Sequence, residues 1–132
     1  MNAKRVSASA LWKQPVYIVL IGGAYYTGEK QIRHSYNAPK AAVLGLTKGM
    51  AASYAQFGIT VNAVGPALFE SEMTSEKLFK SEAFLSYYSY MNPTSRPGNR
   101  GELNGPIIFL SSDASSYVQG QFVIVDGGAS IV

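Results

Sequence analysis

The sequence predicts an α/β fold with parallel strands, because a strand pattern, a long helix pattern and a second strand pattern follow one another. Residues 16–21 form a continuous apolar run rich in β-branched side chains, which is typical of a parallel strand buried on both faces. Residues 36–57 are mostly small or apolar and precede Gly58, a suitable C-terminal cap, so they predict a helix. Residues 59–64 predict the next strand. This order is a βαβ crossover, which is nearly always right-handed.

Three further elements are predicted after residue 67. Residues 68–91 predict one amphipathic helix that covers the core, because apolar side chains recur there at helical spacing. These side chains are Phe84, Leu85, Tyr88 and Met91. Residues 102–111 predict a short helix, and residues 121–125 predict the last strand, which a turn at Asp126-Gly127-Gly128 closes. No internal repeat or linker divides the chain, so residues 1–132 are predicted to form one domain.

Tyr36 and Lys40 are the most informative pair of side chains in the sequence. They stand four residues apart at the start of the predicted helix, so they share one helix face. A free tyrosine has a pKa of about 10, and a cation within about 4–6 Å favours the phenolate and lowers that pKa. The pair therefore predicts a tyrosine that exchanges protons near neutral pH. An ordinary solvated pair is the alternative that these two residues alone leave open.

Pro39 indicates where this helix begins. Proline has no backbone N–H and disfavours helical geometry in the preceding residue, so it is expected within the first helical turn. The helix is therefore predicted to start at residues 35–38, with Tyr36 at its positive end. The partial positive charge at a helix N-terminus also favours a phenolate.

Five segments carry a recognisable pattern along the chain: Tyr36-Asn37-Ala38-Pro39-Lys40, Gly58-Ile59-Thr60-Val61-Asn62-Ala63-Val64-Gly65-Pro66, Glu70-Ser71-Glu72-Met73, residues 110–120, and Val125-Asp126-Gly127-Gly128. Their order and spacing resemble the C-terminal half of short-chain dehydrogenases/reductases. The resemblance covers residues 36–132, whereas residues 1–35 match poorly. Asn62 is unusual in a buried strand unless its amide is hydrogen-bonded, and by this resemblance it is structural.

The resemblance implies the C-terminal part of a Rossmann-like, doubly wound parallel sheet. Three strands, two main helices and a helical lid segment at about residues 68–91 are expected. Tyr36 would donate a proton to a carbonyl oxygen while a hydride arrives from NADH or NADPH, or accept a proton in the reverse direction. Lys40 would lower the pKa of Tyr36 and hydrogen-bond the nicotinamide ribose.

The resemblance also implies further contacts with an NAD or NADP cofactor. The backbone from Pro66 to Phe69 would hold the nicotinamide amide, and Ser71 would lie near the amide and the phosphates. Ala67 stands where the family has a glycine after the proline, which alters the tight turn at this point.

The resemblance breaks off before Tyr36. The sequence has neither a Gly-x-Gly-x-x-Gly nor a Thr-Gly-x-x-x-Gly-x-Gly fingerprint, and no downstream acidic residue to contact a ribose. The serine that orients the substrate in the family falls, by family spacing, on Gly23. We therefore expect a truncated or frame-shifted family member that is weakly active or inactive alone. The alternative is a non-catalytic remnant that associates with intact homologues.

The expected substrate is a small carbonyl or alcohol compound. The C-terminal segments are similar to those of sugar-acid dehydrogenases and of 3-oxoacyl thioester reductases, more to the former. NAD and NADP are not distinguished, because the residues that separate them precede the matching part. The family helix after the tyrosine and the last strand take part in subunit contacts, so a homo-oligomer or an assembly with family members is expected.

Composition narrows the function further. The chain has no cysteine, which excludes disulfides and thiolate sites and is compatible with a reducing, cytoplasmic location. His34 is the only histidine, so a multi-histidine metal site is excluded and no metal is expected. The net charge of +3 is concentrated before residue 41, but no nucleic-acid-binding motif accompanies it. No apolar stretch is long enough to predict a membrane span.

Overall fold

The computed structural model describes residues 15–22, 34–71 and 79–131, apart from the side chains of residues 34–37. The strands are β1 Val16–Ile21, β2 Ile59–Pro66 and β3 Phe122–Val125, and the α-helices are α1 His34–Tyr54, α2 Glu82–Met91 and α3 Asn104–Leu110. Short 3₁₀ turns at Ala55–Phe57 and Asp113–Ser115 follow α1 and α3. The predicted α/β class, a partial Rossmann-like sheet with two main helices and a helical segment between β2 and β3, is confirmed.

The three strands form one parallel sheet in the order β1-β2-β3. β2 is its central strand, and residues 60–65 are all buried. The prediction that residues 16–21 are buried on both faces is wrong, because these side chains are half-buried and Ile21 is 51% exposed. The cause is position: β1 lies at the edge of the sheet that the described residues form, so it has a strand neighbour on one side.

Helix α1 connects β1 to β2. It begins at His34, one residue before the predicted start, so Pro39 is its sixth residue and lies beyond the first turn. Its C-terminal end agrees with the prediction, since the 3₁₀ turn that follows ends at Gly58 with a left-handed φ of 73°. A residue with a side chain adopts this conformation only at a cost, so glycine suits the position.

The region between β2 and α2 departs from the predicted single helix over residues 68–91. Helix α2 begins at Glu82, where the Ser81 Oγ accepts the N–H of Phe84 (3.3 Å) and caps the first turn. Apolar spacing persists upstream of this cap, but residues 68–71 are not helical and residues 72–78 lie outside the described part. Similarly, α3 begins at Asn104 rather than at residue 102, because residues 101–103 form a turn.

Asn62 joins the buried centre of β2 to the segment that precedes β3. Its Nδ2 donates to the Val118 carbonyl (2.9 Å), and its Oδ1 accepts the N–H of Gln121 (2.9 Å). The side chain is fully buried, so both bonds satisfy groups that would otherwise be costly to bury. The structural role expected for Asn62 is therefore present. Gln119 makes a second set of such bonds, to Val61, Ala51 and Ile59.

Candidate active site

The predicted site residues lie at the edge of the sheet where β1 and β2 end. Because these two strands are parallel, the helix α1 that connects them runs in the opposite direction and begins at this edge. Ligands of open α/β sheets bind beyond the carboxyl ends of the strands. Tyr36 lies in the first turn of α1 and Lys40 one turn later, so the topology brings both to this edge.

Tyr36 and Lys40 share a face of α1 by their spacing. Lys40 is half-buried, while the Tyr36 side chain is outside the described residues. The proton-transfer role of the pair remains a prediction.

The segment of residues 66–71 leaves the carboxyl end of β2 at the same edge. The N–H of Ala67 donates to the Val125 carbonyl (3.1 Å), which holds the chain beside β3 just after Pro66. The Leu68 carbonyl accepts the N–H of Gly98 (2.9 Å), and Phe69 pairs with Gly98 in an isolated parallel bridge. The backbone that was predicted to hold a nicotinamide amide is therefore fixed from two sides. Ser71, which follows, is exposed.

Gly23, the position expected for the family serine, lies outside the described residues, but Gly22 is described. The Gly22 N–H donates to the Val64 carbonyl (2.8 Å) and continues the pairing of β1 with β2. A Cβ atom on Gly22 would lie 2.5 Å from Cε2 of Phe122, so this ring fills the space of a side chain. A side chain at position 22 would therefore require the Phe122 ring to move. Sequence reasoning missed Phe122. The available signal was the presence of Gly22 and Gly65 at the ends of two strands, where the Phe122 ring lies.

Residues 92–102, the 92–102 loop, lie between α2 and α3. In its middle, Gly98 pairs with Phe69 of the segment described above. The Arg96 guanidinium, before Gly98, forms two bonds of 2.8 Å with the carboxylate of Glu102 at the end of the loop. Such a bidentate pair fixes the geometry of both side chains. The loop is thus a fixed part of the edge where the predicted site lies.

Asn92 begins this loop and is a buried residue that sequence reasoning also missed. Its Nδ2 donates to the Asp126 carbonyl (2.9 Å) and to the Tyr88 hydroxyl (3.2 Å). Its Oδ1 accepts both the N–H (3.0 Å) and the hydroxyl (2.8 Å) of Thr94. The N–H of Thr94 also reaches the Gly127 carbonyl (3.2 Å). The end of α2 is therefore tied to the turn after β3. The Asn-Pro-Thr sequence, typical of a turn, was the available signal.

Two carboxylates near this edge are held ionised by their surroundings. Hydrogen bonds from the Arg96 guanidinium, and then from the N–H of Asn99, lower the pKa of Glu102 to about 2. Partial burial acts to raise the pKa of Asp126, but hydrogen bonds from Ser130 and from the N–H of Gly128 outweigh it and lower that pKa. Both groups are acceptors near neutral pH, so neither is suited to donate a proton there.

Comparison with known proteins supplies the family. The sequence profile described as Enoyl-(Acyl carrier protein) reductase matches residues 5–130, which is nearly the whole chain. This chain belongs to the short-chain dehydrogenase/reductase family. It is 44% identical over 96 residues to a gluconate 5-dehydrogenase of Gluconobacter oxydans (strain 621H), with 73% of this chain covered. It is 35% identical over 132 residues to a 3-oxoacyl-(acyl-carrier-protein) reductase of Buchnera aphidicola subsp. Acyrthosiphon pisum, with 98% of this chain covered.

A solved structure of this short-chain dehydrogenase/reductase family has the same arrangement. The gluconate 5-dehydrogenase of Burkholderia cenocepacia J2315, in complex with NADP and tartrate, superposes with a TM-score of 0.79 at 37% identity. That match covers 87% of this chain and 45% of the other. The chain likewise spans 37% of the Gluconobacter protein and 52% of the Buchnera protein, about half their length or less.

Among the described residues, no group of three or more His, Cys, Asp or Glu side chains is placed to hold a metal ion. No helix in that part of the chain is both long and apolar enough to cross a membrane.

Proposed function

We propose that this chain carries the nicotinamide side of an NAD(P)-dependent site for carbonyl–alcohol interconversion, and that it is weakly active or inactive by itself. The observation that carries the proposal is that two elements lie at the same edge of the sheet. The first turns of α1, with Tyr36 and Lys40, begin where the 66–71 segment leaves β2. The known complex of the Burkholderia relative with NADP supports the choice of cofactor.

The described residues fit a nicotinamide nucleoside in their chemistry. Lys40 offers an ammonium donor for ribose hydroxyls, and the backbone of residues 66–69 is held in place by Val125 and Gly98. The Ala67 N–H is bonded to the Val125 carbonyl, and the proposal assigns the contacts with the amide to Pro66 and Phe69. Ser71 adds a hydroxyl near the same edge. When bound, the cofactor would supply or accept the hydride.

The protein's part in the proposed reaction is proton transfer. Tyr36 would donate its phenolic proton to the carbonyl oxygen of the substrate, or accept a proton from an alcohol in reverse. Lys40 would favour the phenolate that this exchange requires. The sequence offers no glycine-rich loop for the pyrophosphate and no serine at Gly23, so weak binding and slow turnover are proposed for the chain alone.

The substrate class proposed first is a sugar acid or a related polyol, and the second is a 3-oxoacyl thioester. The Gluconobacter and Burkholderia relatives are gluconate 5-dehydrogenases, whereas the Buchnera relative is a 3-oxoacyl-(acyl-carrier-protein) reductase. Both classes contain a ketone, or the corresponding secondary alcohol, on which carbonyl–alcohol interconversion can act. A reducing, cytoplasmic setting is part of the proposal, in keeping with the absence of cysteine.

A second candidate function is a non-catalytic chain that associates with copies of itself or with intact homologues. The observation that favours it is apolar surface on the described elements. Leu46 and Tyr54 are exposed on α1, and Ile108 and Phe109 are exposed on α3. The β1 edge of the described sheet also has backbone groups that another strand would pair with.

A fluorescence titration of the monodisperse chain with NADH and NADPH separates the two candidates. Saturable binding that weakens in Lys40→Ala and persists in Lys48→Ala, an exposed lysine of the same helix, supports the oxidoreductase. Reduction of 5-keto-D-gluconate, the substrate named for an Escherichia coli relative, is then measured. Tyr36→Phe is expected to bind cofactor and lose turnover, while Tyr54→Phe keeps both. A folded chain that binds neither nucleotide favours the non-catalytic candidate.

A further inference from the structure

Asn92 links the end of α2 to the carboxyl end of β3, and we infer that it is a positioning residue for the 66–71 segment. Its side chain is 3% exposed and both ends of its amide are hydrogen-bonded. The inference rests on the proposed function for its effect on cofactor binding. Its structural part stands on the contacts alone.

The orientation of the Asn92 amide is fixed by its partners. The Asp126 carbonyl can only accept, so it must face Nδ2, and the Thr94 N–H can only donate, so it must face Oδ1. An aspartate of the same shape would retain the second bond and place an oxygen against the Asp126 carbonyl. Asn92 is therefore required as an amide rather than as a side chain of suitable volume.

The side-chain bonds of Asn92 belong to a ring of hydrogen bonds that joins three segments of the chain. Thr94, which Asn92 holds, donates to Gly127, just beyond the end of β3. At the end of the same strand the Val125 carbonyl accepts the N–H of Ala67. The adjoining Leu68 carbonyl accepts the N–H of Gly98, which returns to the loop that Asn92 begins. Three segments are thus each hydrogen-bonded to the other two: the exit of β2, the end of β3 with the turn after it, and the 92–102 loop.

Breaking the hydrogen bonds of Asn92 should weaken the bonds at the two other contacts of this ring, Ala67–Val125 and Gly98–Leu68. Gly98 would then be tethered less firmly, and the carbonyl of Leu68 and the N–H of Ala67 would sample open states more often. A binding segment that has to be ordered before it accepts a ligand binds more weakly. We expect the Kd for NADPH to rise about tenfold, which corresponds to roughly 1.4 kcal/mol.

The test compares Asn92→Asp with Asn99→Ala in otherwise unaltered chains. Asn99 is of the same residue type and lies in the same loop, but it is exposed and its bonds to Glu102 use its backbone N–H and carbonyl. Hydrogen exchange of the Ala67 and Gly98 amides is measured without ligand, and the Kd for NADPH is measured separately. Faster exchange at both amides and weaker binding are expected in Asn92→Asp, and neither in Asn99→Ala.

The outcomes separate this inference from the proposed function. Unchanged exchange at Ala67 and Gly98 in folded Asn92→Asp overturns the positioning role, whatever happens to NADPH. Faster exchange with an unchanged Kd overturns its effect on binding. Faster exchange in a chain whose unsubstituted form does not bind NADPH sustains the positioning role and rejects the proposed function. If Asn92→Asp does not fold, Thr94→Val removes the hydroxyl bond to Asn92 and is read in the same way.

Discussion

The ring of Phe122 lies against the backbone of Gly65, so that a Cβ atom on this glycine would be 2.5 Å from Cζ of the ring. Gly65 is not among the described glycines with a positive φ, so its backbone conformation does not explain the absence of a side chain. The ring extends as far as Gly22 at the end of β1. One aromatic side chain thus fills the space above the ends of two strands, directly before Pro66.

This relationship predicts that Gly65→Ala is destabilising and that a smaller residue at position 122 relieves the cost. Overpacking a core by one methyl group typically costs about 1–3 kcal/mol, and we expect Gly65→Ala to lower the free energy of unfolding by that amount. In a Phe122→Val background the added cost should be much smaller, because the ring atoms that the Cβ meets are gone. Urea unfolding of the two single variants and the double variant measures the coupling. Equal costs of Gly65→Ala in both backgrounds would contradict the contact.

Two buried threonines predict opposite effects of one substitution. Thr60 is 8% exposed, and its Oγ1 has no hydrogen-bond partner among the described residues. Thr47 is 1% exposed, and its Oγ1 donates to the Val43 carbonyl (2.6 Å). Burying a hydroxyl without a partner costs about 1–3 kcal/mol, whereas a made hydrogen bond contributes about 0.5–1.5 kcal/mol.

Thr60→Val should therefore raise the free energy of unfolding by about 1 kcal/mol, because valine has the same shape without the polar atom. Thr47→Val should lower it by about 0.5–1.5 kcal/mol and serves as the matched control. Thermal and urea unfolding of both variants give the comparison. A loss of stability in Thr60→Val would mean that its hydroxyl has a partner outside the described residues.

The sequence was sufficient for the features that depend on local chemistry. The apolar run of β2, the cap at Gly58 and the hydrogen-bonded Asn62 each follow from a propensity or a pairing requirement that neighbouring residues express. The resemblance added the roles expected for Tyr36 and Lys40, which lie at the start of α1. Those features place the candidate site at the carboxyl ends of β1 and β2.

Other features depend on contacts that no local pattern expresses. Ile21 belongs to an apolar run, yet its exposure is set by the number of strands beside β1. The start of α2 is different, because the cap at Ser81 is a local bond to the N–H of Phe84, a signal that sequence reasoning missed beside the apolar spacing further upstream. The role of Asn92 arises from a carbonyl 34 residues away in the chain. Tertiary partners decide the exposure of Ile21 and the bonds of Asn92, so these two features had to be read from the structure.

The ion pair between Arg96 and Glu102 predicts a stability contribution that is lost in acid. The pKa of Glu102 is about 2 in the folded chain and 4.5 for the ordinary group, so the unfolded chain binds the proton more tightly. The contribution is therefore complete above about pH 4.5 and is lost as the pH falls from there towards 2. Arg96→Met should raise the pKa of Glu102, as followed by NMR titration of its carboxyl carbon. Arg100→Met, which removes a neighbouring guanidinium paired with Glu70 at 3.6 Å, should leave that pKa about 2.

The exposed face of α1 predicts that replacing one of its glycines by alanine raises the free energy of unfolding. A Cβ atom on Gly49 would have no atom within 4 Å, and alanine is more favourable than glycine in a helix by about 0.5–1 kcal/mol. Gly49→Ala should therefore raise the free energy of unfolding of the dilute monomer by that amount. Gly58→Ala, at a φ of 73°, should lower it by about 1–2 kcal/mol, because a side chain is disfavoured in that conformation.

The same Gly49→Ala variant also tests whether another chain covers this face of α1. Gly45, Leu46, Met50 and Tyr54 line the groove beside Gly49, and a partner seated there would contact a new methyl group directly. Unfolding is therefore compared at low and high protein concentration, with the mass in solution measured at each. A gain in stability at both concentrations means that the face is open to solvent. A gain on dilution that turns into a loss at high concentration, together with a smaller assembled mass, means that α1 packs against a second copy through this groove.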